Sequence, residues 1–132
     1  MRRLLDLSGE ALWRGDILRL TQNYDLAPGG GSVDLLIYDP HDDGAGLGLM
    51  VVSGYKAGLT LSILPIESCG EGKRSLEVDW LLANWDKWFC HTYERDEDGG
   101  LVPIPVDGTL VIGWEDREII VKTDADSRPS RS

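Results

Sequence analysis

Cysteine, histidine and basic residues are scarce in this chain of 132 residues, and each scarcity excludes a class of function. The two cysteines, Cys69 and Cys90, are too few and too unpatterned for a secreted disulfide scaffold or a four-ligand zinc site, so reduced thiols in a cytoplasmic protein are expected. Lys and Arg total 13 against 23 Asp and Glu, a formal net charge of −10. Binding to nucleic acid or to an anionic membrane relies on clustered cations, so neither is an expected partner and a basic one is. No apolar run approaches the roughly 20 residues that a bilayer-spanning helix needs. The opening Met1-Arg2-Arg3-Leu4-Leu5 is broken by Asp6 and Glu10 before it can become the apolar core of an export signal.

What the chain does have is 42% apolar and 27% charged residues, enough for one globular core. A single domain over residues 1–123 is expected. The polar residues 124–132, with Pro129 and several serines, read as a frayed tail.

Apolar and β-branched runs predict strands at 17–20, 33–38, 47–52, 59–64, 109–114 and 118–122. The runs at 47–52 and 59–64 form a hairpin, and alternation of Leu59, Leu61 and Ile63 with Thr60 and Ser62 predicts that the three apolar residues line a buried face. Pro28 and Gly29-Gly30-Gly31 mark a loop over 24–32, and glycines 44, 46 and 48 read as a turn. One helix is predicted over 75–89, with Ser75 as N-cap and Val78, Leu81, Leu82, Trp85 and Phe89 on one face. The expected fold is α+β, a mainly antiparallel sheet of about six strands packed against that one main helix.

Catalytic signatures are missing: there is no phosphate-cradling glycine loop, no nucleophile elbow and no pair of histidines at helical spacing. Cys90 and His91 are neighbours and point apart on an extended chain; Cys90 reads as a small buried group and His91 as a helix C-terminal residue. Asp39, Asp42 and Asp43 with Gly44, and Asp96, Glu97 and Asp98 with Gly99, lack the ligand alternation of a calcium loop and read as solvated acidic turns. No catalytic residue, metal site or cofactor is predicted.

Surface recognition remains. Of five tryptophans, Trp85 and Trp88 fit the core, whereas Trp80 falls opposite the apolar stripe and is a candidate contact residue. Acidic loops beside an exposed aromatic supply steering charge around an anchor. The candidate partner-binding residues are therefore Trp80, Glu94, Asp96, Glu97, Asp98, Asp39, Asp42 and Asp43.

Three stretches carry a family resemblance: Leu7-Ser8-Gly9-Glu10-Ala11-Leu12-Trp13-Arg14-Gly15-Asp16-Ile17-Leu18-Arg19-Leu20, Gly48-Leu49-Met50-Val51-Val52-Ser53-Gly54-Tyr55-Lys56-Ala57-Gly58-Leu59 and Trp80-Leu81-Leu82-Ala83-Asn84-Trp85-Asp86-Lys87-Trp88. Together they make most of residues 5–90 resemble the immunity protein 45 family, encoded beside bacterial polymorphic toxins. The resemblance implies an α+β protein without catalysis that neutralises a cognate toxin by binding it. Joined to the charge balance, it leads to an acidic surface that masks a basic toxin, a nuclease being one such class. An acidic adaptor or DNA mimic is the alternative from the residues alone, and a small enzyme built on His41 and Cys90 is a further one. The oligomeric state is left open.

Overall fold

The computed structural model describes residues 1–21, 32–54 and 56–113, without the side chains of residues 91–95. Among the described residues, ten strands and two short α-helices follow in order. They are β1 (Arg2–Arg3), β2 (Ala11–Leu12), β3 (Ile17–Leu20), β4 (Val33–Tyr38), β5 (Ala45–Val51), β6 (Thr60–Pro65), β7 (Leu76–Glu77), α1 (Val78–Ala83), α2 (Trp85–Trp88), β8 (Cys90–Arg95), β9 (Leu101–Pro103) and β10 (Leu110–Ile112). Six form one antiparallel sheet in the order β1-β10-β3-β4-β5-β6, while β2–β7 and β8–β9 are separate two-stranded pairs. With its short helices this is the α+β arrangement expected. The strand foreseen at 118–122, Trp114, the 124–132 tail and nearly all of the 24–32 loop lie outside the described residues.

Alternation in β3 and β4 buries Leu18, Leu20, Val33, Leu35 and Ile37. Leu47, Leu49 and Val51 extend this inner face across β5, and the same buried cluster contains Val78, Leu81, Trp85 and Phe89 from the helical segment. The opposite face carries half-buried Ile17, Leu36, Tyr38 and Met50, with Arg19 paired across the ladder to Asp34 at 2.8 Å.

The predicted single helix is corrected in two places. Residues 76–77 pair with β2, Leu12 opposite Leu76 and Ala11 opposite Glu77, so helix α1 starts only at Val78. Ser75 is buried and caps nothing; its hydroxyl accepts from the Gly70 N–H at 3.0 Å. The helix then breaks at Asn84 (φ −112°, ψ 10°), whose side chain donates to the Trp80 carbonyl at 2.8 Å. His91 lies in β8 rather than at a helix end.

Glycines 46 and 48 lie within β5 rather than in a turn. The 47–64 hairpin is present, but its buried face is not the predicted one. Leu49 pairs with Ser62 and Met50 with Thr60, which leaves Leu61 as an extra, bulged residue in β6. Ile63 pairs with Gly48 on the face away from the helices, and only Leu64 of β6 is fully buried. Leu61 and Ile63 are consequently exposed, and so is Leu59 at the start of this edge strand.

Candidate functional site

The first acidic turn joins β4 to β5. Asp39 is held there: its Oδ1 accepts from the His41 N–H at 2.8 Å and from Arg74 Nη2 at 2.9 Å. The Arg74 guanidinium also donates to the Ala45 and Gly46 carbonyls, clamping the 70–75 segment onto the start of β5. The hydrogen bond from Arg74, helped by the His41 N–H, holds the Asp39 carboxyl below its usual range, and the pairing raises Arg74 in turn. Asp39 is thus a structural anion whose charge is already matched. Asp42 accepts the Gly44 N–H at 2.9 Å, the short-range bond that favours Asp in turns, and remains exposed with Asp43.

The second turn closes the β8–β9 hairpin. Asp96 Oδ1 accepts from the Asp98 N–H at 3.0 Å and the Gly100 N–H at 2.7 Å, so this carboxylate shapes the loop. Asp96, Glu97 and Asp98 are all exposed. Glu94 is a strand residue of β8, and its side chain is among those not described.

Trp80 is not a free indole. It is half-buried against the core, its ring centroid 6.4 Å from that of Trp88 at a tilt of 46°. Trp85 is the core tryptophan: it stacks on Phe89 at 3.9 Å and donates its indole N–H to the Ile104 carbonyl at 2.6 Å.

Among the described tryptophans, the one that does project is Trp13, 47% exposed. It occupies the turn from β2 to β3, where the Asp16 carboxylate accepts the Trp13 N–H at 2.9 Å and Gly15 adopts φ 95°. The sequence signal was there: Trp-Arg-Gly-Asp is turn chemistry, and an aromatic ring in a turn has no ladder to pack on. Equally unanticipated is the exposure of Leu59, Leu61, Ile63 and Ile66.

His41 and Cys90 belong to different surroundings. His41 sits exposed in the β4–β5 turn at φ 58° and lines a cleft with Arg14, Tyr38 and Asp39. The Cys90 thiol donates to the Asp86 carbonyl at 2.7 Å, and burial, reinforced by the Asp86 charge, raises its pKa. A thiol in that state is a poor nucleophile.

Among the described residues, then, the structure offers exposed carboxylates on two turns, one projecting indole and an exposed apolar strand. These are features suited to recognising another macromolecule. Comparison with curated proteins and with solved structures finds no match. The model of the family described as immunity protein 45 matches residues 4–97, from the first buried leucine into the second acidic turn. With that match spanning well over half of its length, the chain belongs to the immunity protein 45 family, proteins that neutralise a cognate toxin and are not enzymes.

Proposed function

We propose that the protein neutralises its toxin by presenting an acidic, preformed surface to a basic toxin inside the cytoplasm, blocking the toxin's active site or a motion it needs. The observation that carries this reading is the charge balance: 23 acidic against 13 basic residues, with Asp42, Asp43, Asp96, Glu97 and Asp98 all exposed. Toxins that act on nucleic acid bind an anionic substrate with clustered cations, so a nuclease is the target class this surface complements best. Complementary charge also speeds capture, to ~10⁸–10⁹ M⁻¹s⁻¹ at low salt. Fast capture matters for a protein that must intercept a toxin before it acts.

Co-expression with the toxin encoded beside this gene tests the reading. Growth should be rescued and the two proteins should co-purify. A toxin that remains lethal and unbound rejects it.

A further inference from the structure

The turn from β2 to β3 brings two unlike groups to one cleft. It is pinned in place: the Asp16 N–H donates to the Trp13 carbonyl at 3.0 Å, the Gly15 N–H donates to the Ile37 carbonyl at 2.7 Å, and the Ile37 N–H donates to the Asp16 carbonyl at 2.9 Å. Trp13 is therefore presented from a preformed support, which spares a partner the cost of ordering it. Its residue borders a cleft of about 310 Å³ whose wall includes Leu7, Leu12 and Val111. Asp16 lines the same cleft and is only 8% exposed.

Asp16 is the group that the fold alone does not explain. Its Oδ2 accepts the Trp13 N–H, but among the described residues its other carboxylate oxygen has no hydrogen bond and no cation pairs with either. A carboxylate so far removed from water ordinarily keeps a cation close. The cations bordering the cleft are committed elsewhere. Arg2 donates to both oxygens of Glu10, at 3.3 and 2.7 Å, so those two charges cancel, and Met1 has an interaction of its own. One uncompensated negative charge is left beside an exposed indole. The turn does not require that charge, because a neutral amide oxygen would accept the Trp13 N–H as well. An indole face, an apolar wall and a buried carboxylate together suit a Lys or Arg side chain: the wall takes its stem, and the ring and carboxylate take its cationic head.

We propose that the Trp13–Asp16 cleft is the anchor of the toxin complex, receiving one Lys or Arg side chain of the toxin between the Trp13 indole and the Asp16 carboxylate. This rests on the toxin-neutralising reading above and goes beyond it, because it divides the work: the exposed acidic turns steer the approach, and the cleft holds the docked toxin. Rim charges act on the association rate, whereas a pair made with a buried charge acts on the dissociation rate.

The test uses the full-length protein and the purified, catalytically disabled product of the adjacent toxin gene. Trp13→Ala removes an exposed ring, and Asp16→Asn keeps an acceptor for the Trp13 N–H while removing the charge, so both should retain the wild-type circular dichroism spectrum. Trp13→Ala should raise Kd roughly 30-fold or more, the effect of losing a hot-spot contact, and Asp16→Asn about tenfold, with both losses in the dissociation rate. Wild-type affinity in either folded variant, or a loss confined to the association rate, overturns the anchor and leaves toxin neutralisation standing. If Asp16→Asn does not fold, Trp13→Ala decides by the same criteria. A wild-type protein that binds no toxin overturns both readings. A toxin-free protein that is dimeric, and becomes monomeric in Trp13→Ala, assigns the cleft to a second copy and likewise overturns the proposal.

Discussion

The ring of Tyr38 lies directly over Gly48, its register partner on β5: a Cβ placed on Gly48 would stand 2.5 Å from the ring atoms Cε1 and Cζ. From there the Tyr38 hydroxyl reaches Thr60 on β6 at 3.1 Å. One half-buried side chain therefore spans three strands and ties the edge strand to the sheet. The glycine is what allows the crossing.

Two glycines of β5 should differ in what they tolerate. At Gly48 the obstacle is the far end of a half-buried ring that can swing outward, and alanine itself favours a strand over glycine, so Gly48→Ala should cost less than about 1 kcal/mol. At Gly46 an added Cβ would meet the Pro65 carbonyl oxygen at 2.6 Å and the Leu64 carbonyl oxygen at 3.0 Å, backbone atoms that cannot turn aside. Gly46→Ala should cost about 2–3 kcal/mol. Urea denaturation of the two variants measures the difference, and equal costs would contradict the packing described.

The Asp39–Arg74 pair sets a pH dependence. A carboxyl whose folded pKa is depressed contributes stability that is fully present above its unfolded value of about 3.9 and is lost as pH falls through the folded value. Asp39→Asn should therefore lower the urea midpoint at neutral pH, and the gap from wild type should close only as the solution is acidified below about pH 4. A gap that is constant down to about pH 2 would show that the pairing contributes nothing electrostatic.

The tryptophans separate by exposure. Trp13→Ala removes a projecting ring and should leave stability within about 0.5 kcal/mol of wild type. Trp80→Ala removes packing against Trp88 and the core, and should cost about 1–3 kcal/mol. Thermal or urea unfolding distinguishes them, and reversal of the order would refute the placement of both rings.

Cys90 should be chemically quiet. With its thiol pKa raised by burial and its S–H given to Asp86, it should react with a disulfide reagent at about pH 8 more slowly in the folded protein than in denaturant. Measured in a Cys69→Ser background, the rate belongs to Cys90 alone, since the chain has two cysteines. Faster reaction in the folded state would instead indicate an activated thiol.

Strands whose signal is local were legible in the sequence. Val33 to Tyr38 alternates strictly between buried and half-buried positions, and the β5–β6 hairpin lies where its two apolar runs and the intervening glycines put it. Elements that depend on distant partners were not. Leu76 and Glu77 look helical until β2 claims them from 64 or more positions away, and Arg2 and Arg3 become a strand only because β10 pairs with them. The bulge at Leu61 defeated part of the assignment of the buried face of β6, since a one-residue slip moves Ile63, which follows it, to the other side; Leu59 precedes the bulge and is exposed on the edge strand.

For the candidate site, the acidic turns were legible from their Asp and Gly residues, as was the helix position of Trp80. The fate of Asp39 was not, because its partner Arg74 lies 35 residues on. Helical phase placed Trp80 opposite the stripe, but the break at Asn84 folds Trp88 back against it and half-buries the ring.

Association kinetics with the purified cognate toxin test the central claim most directly, because they read binding and its charge dependence together. The account predicts a complex whose association rate falls steeply as salt is raised from about 10 mM to 150 mM, the range over which exposed charges become screened. A toxin that does not bind, or one whose association rate is indifferent to salt, would contradict it.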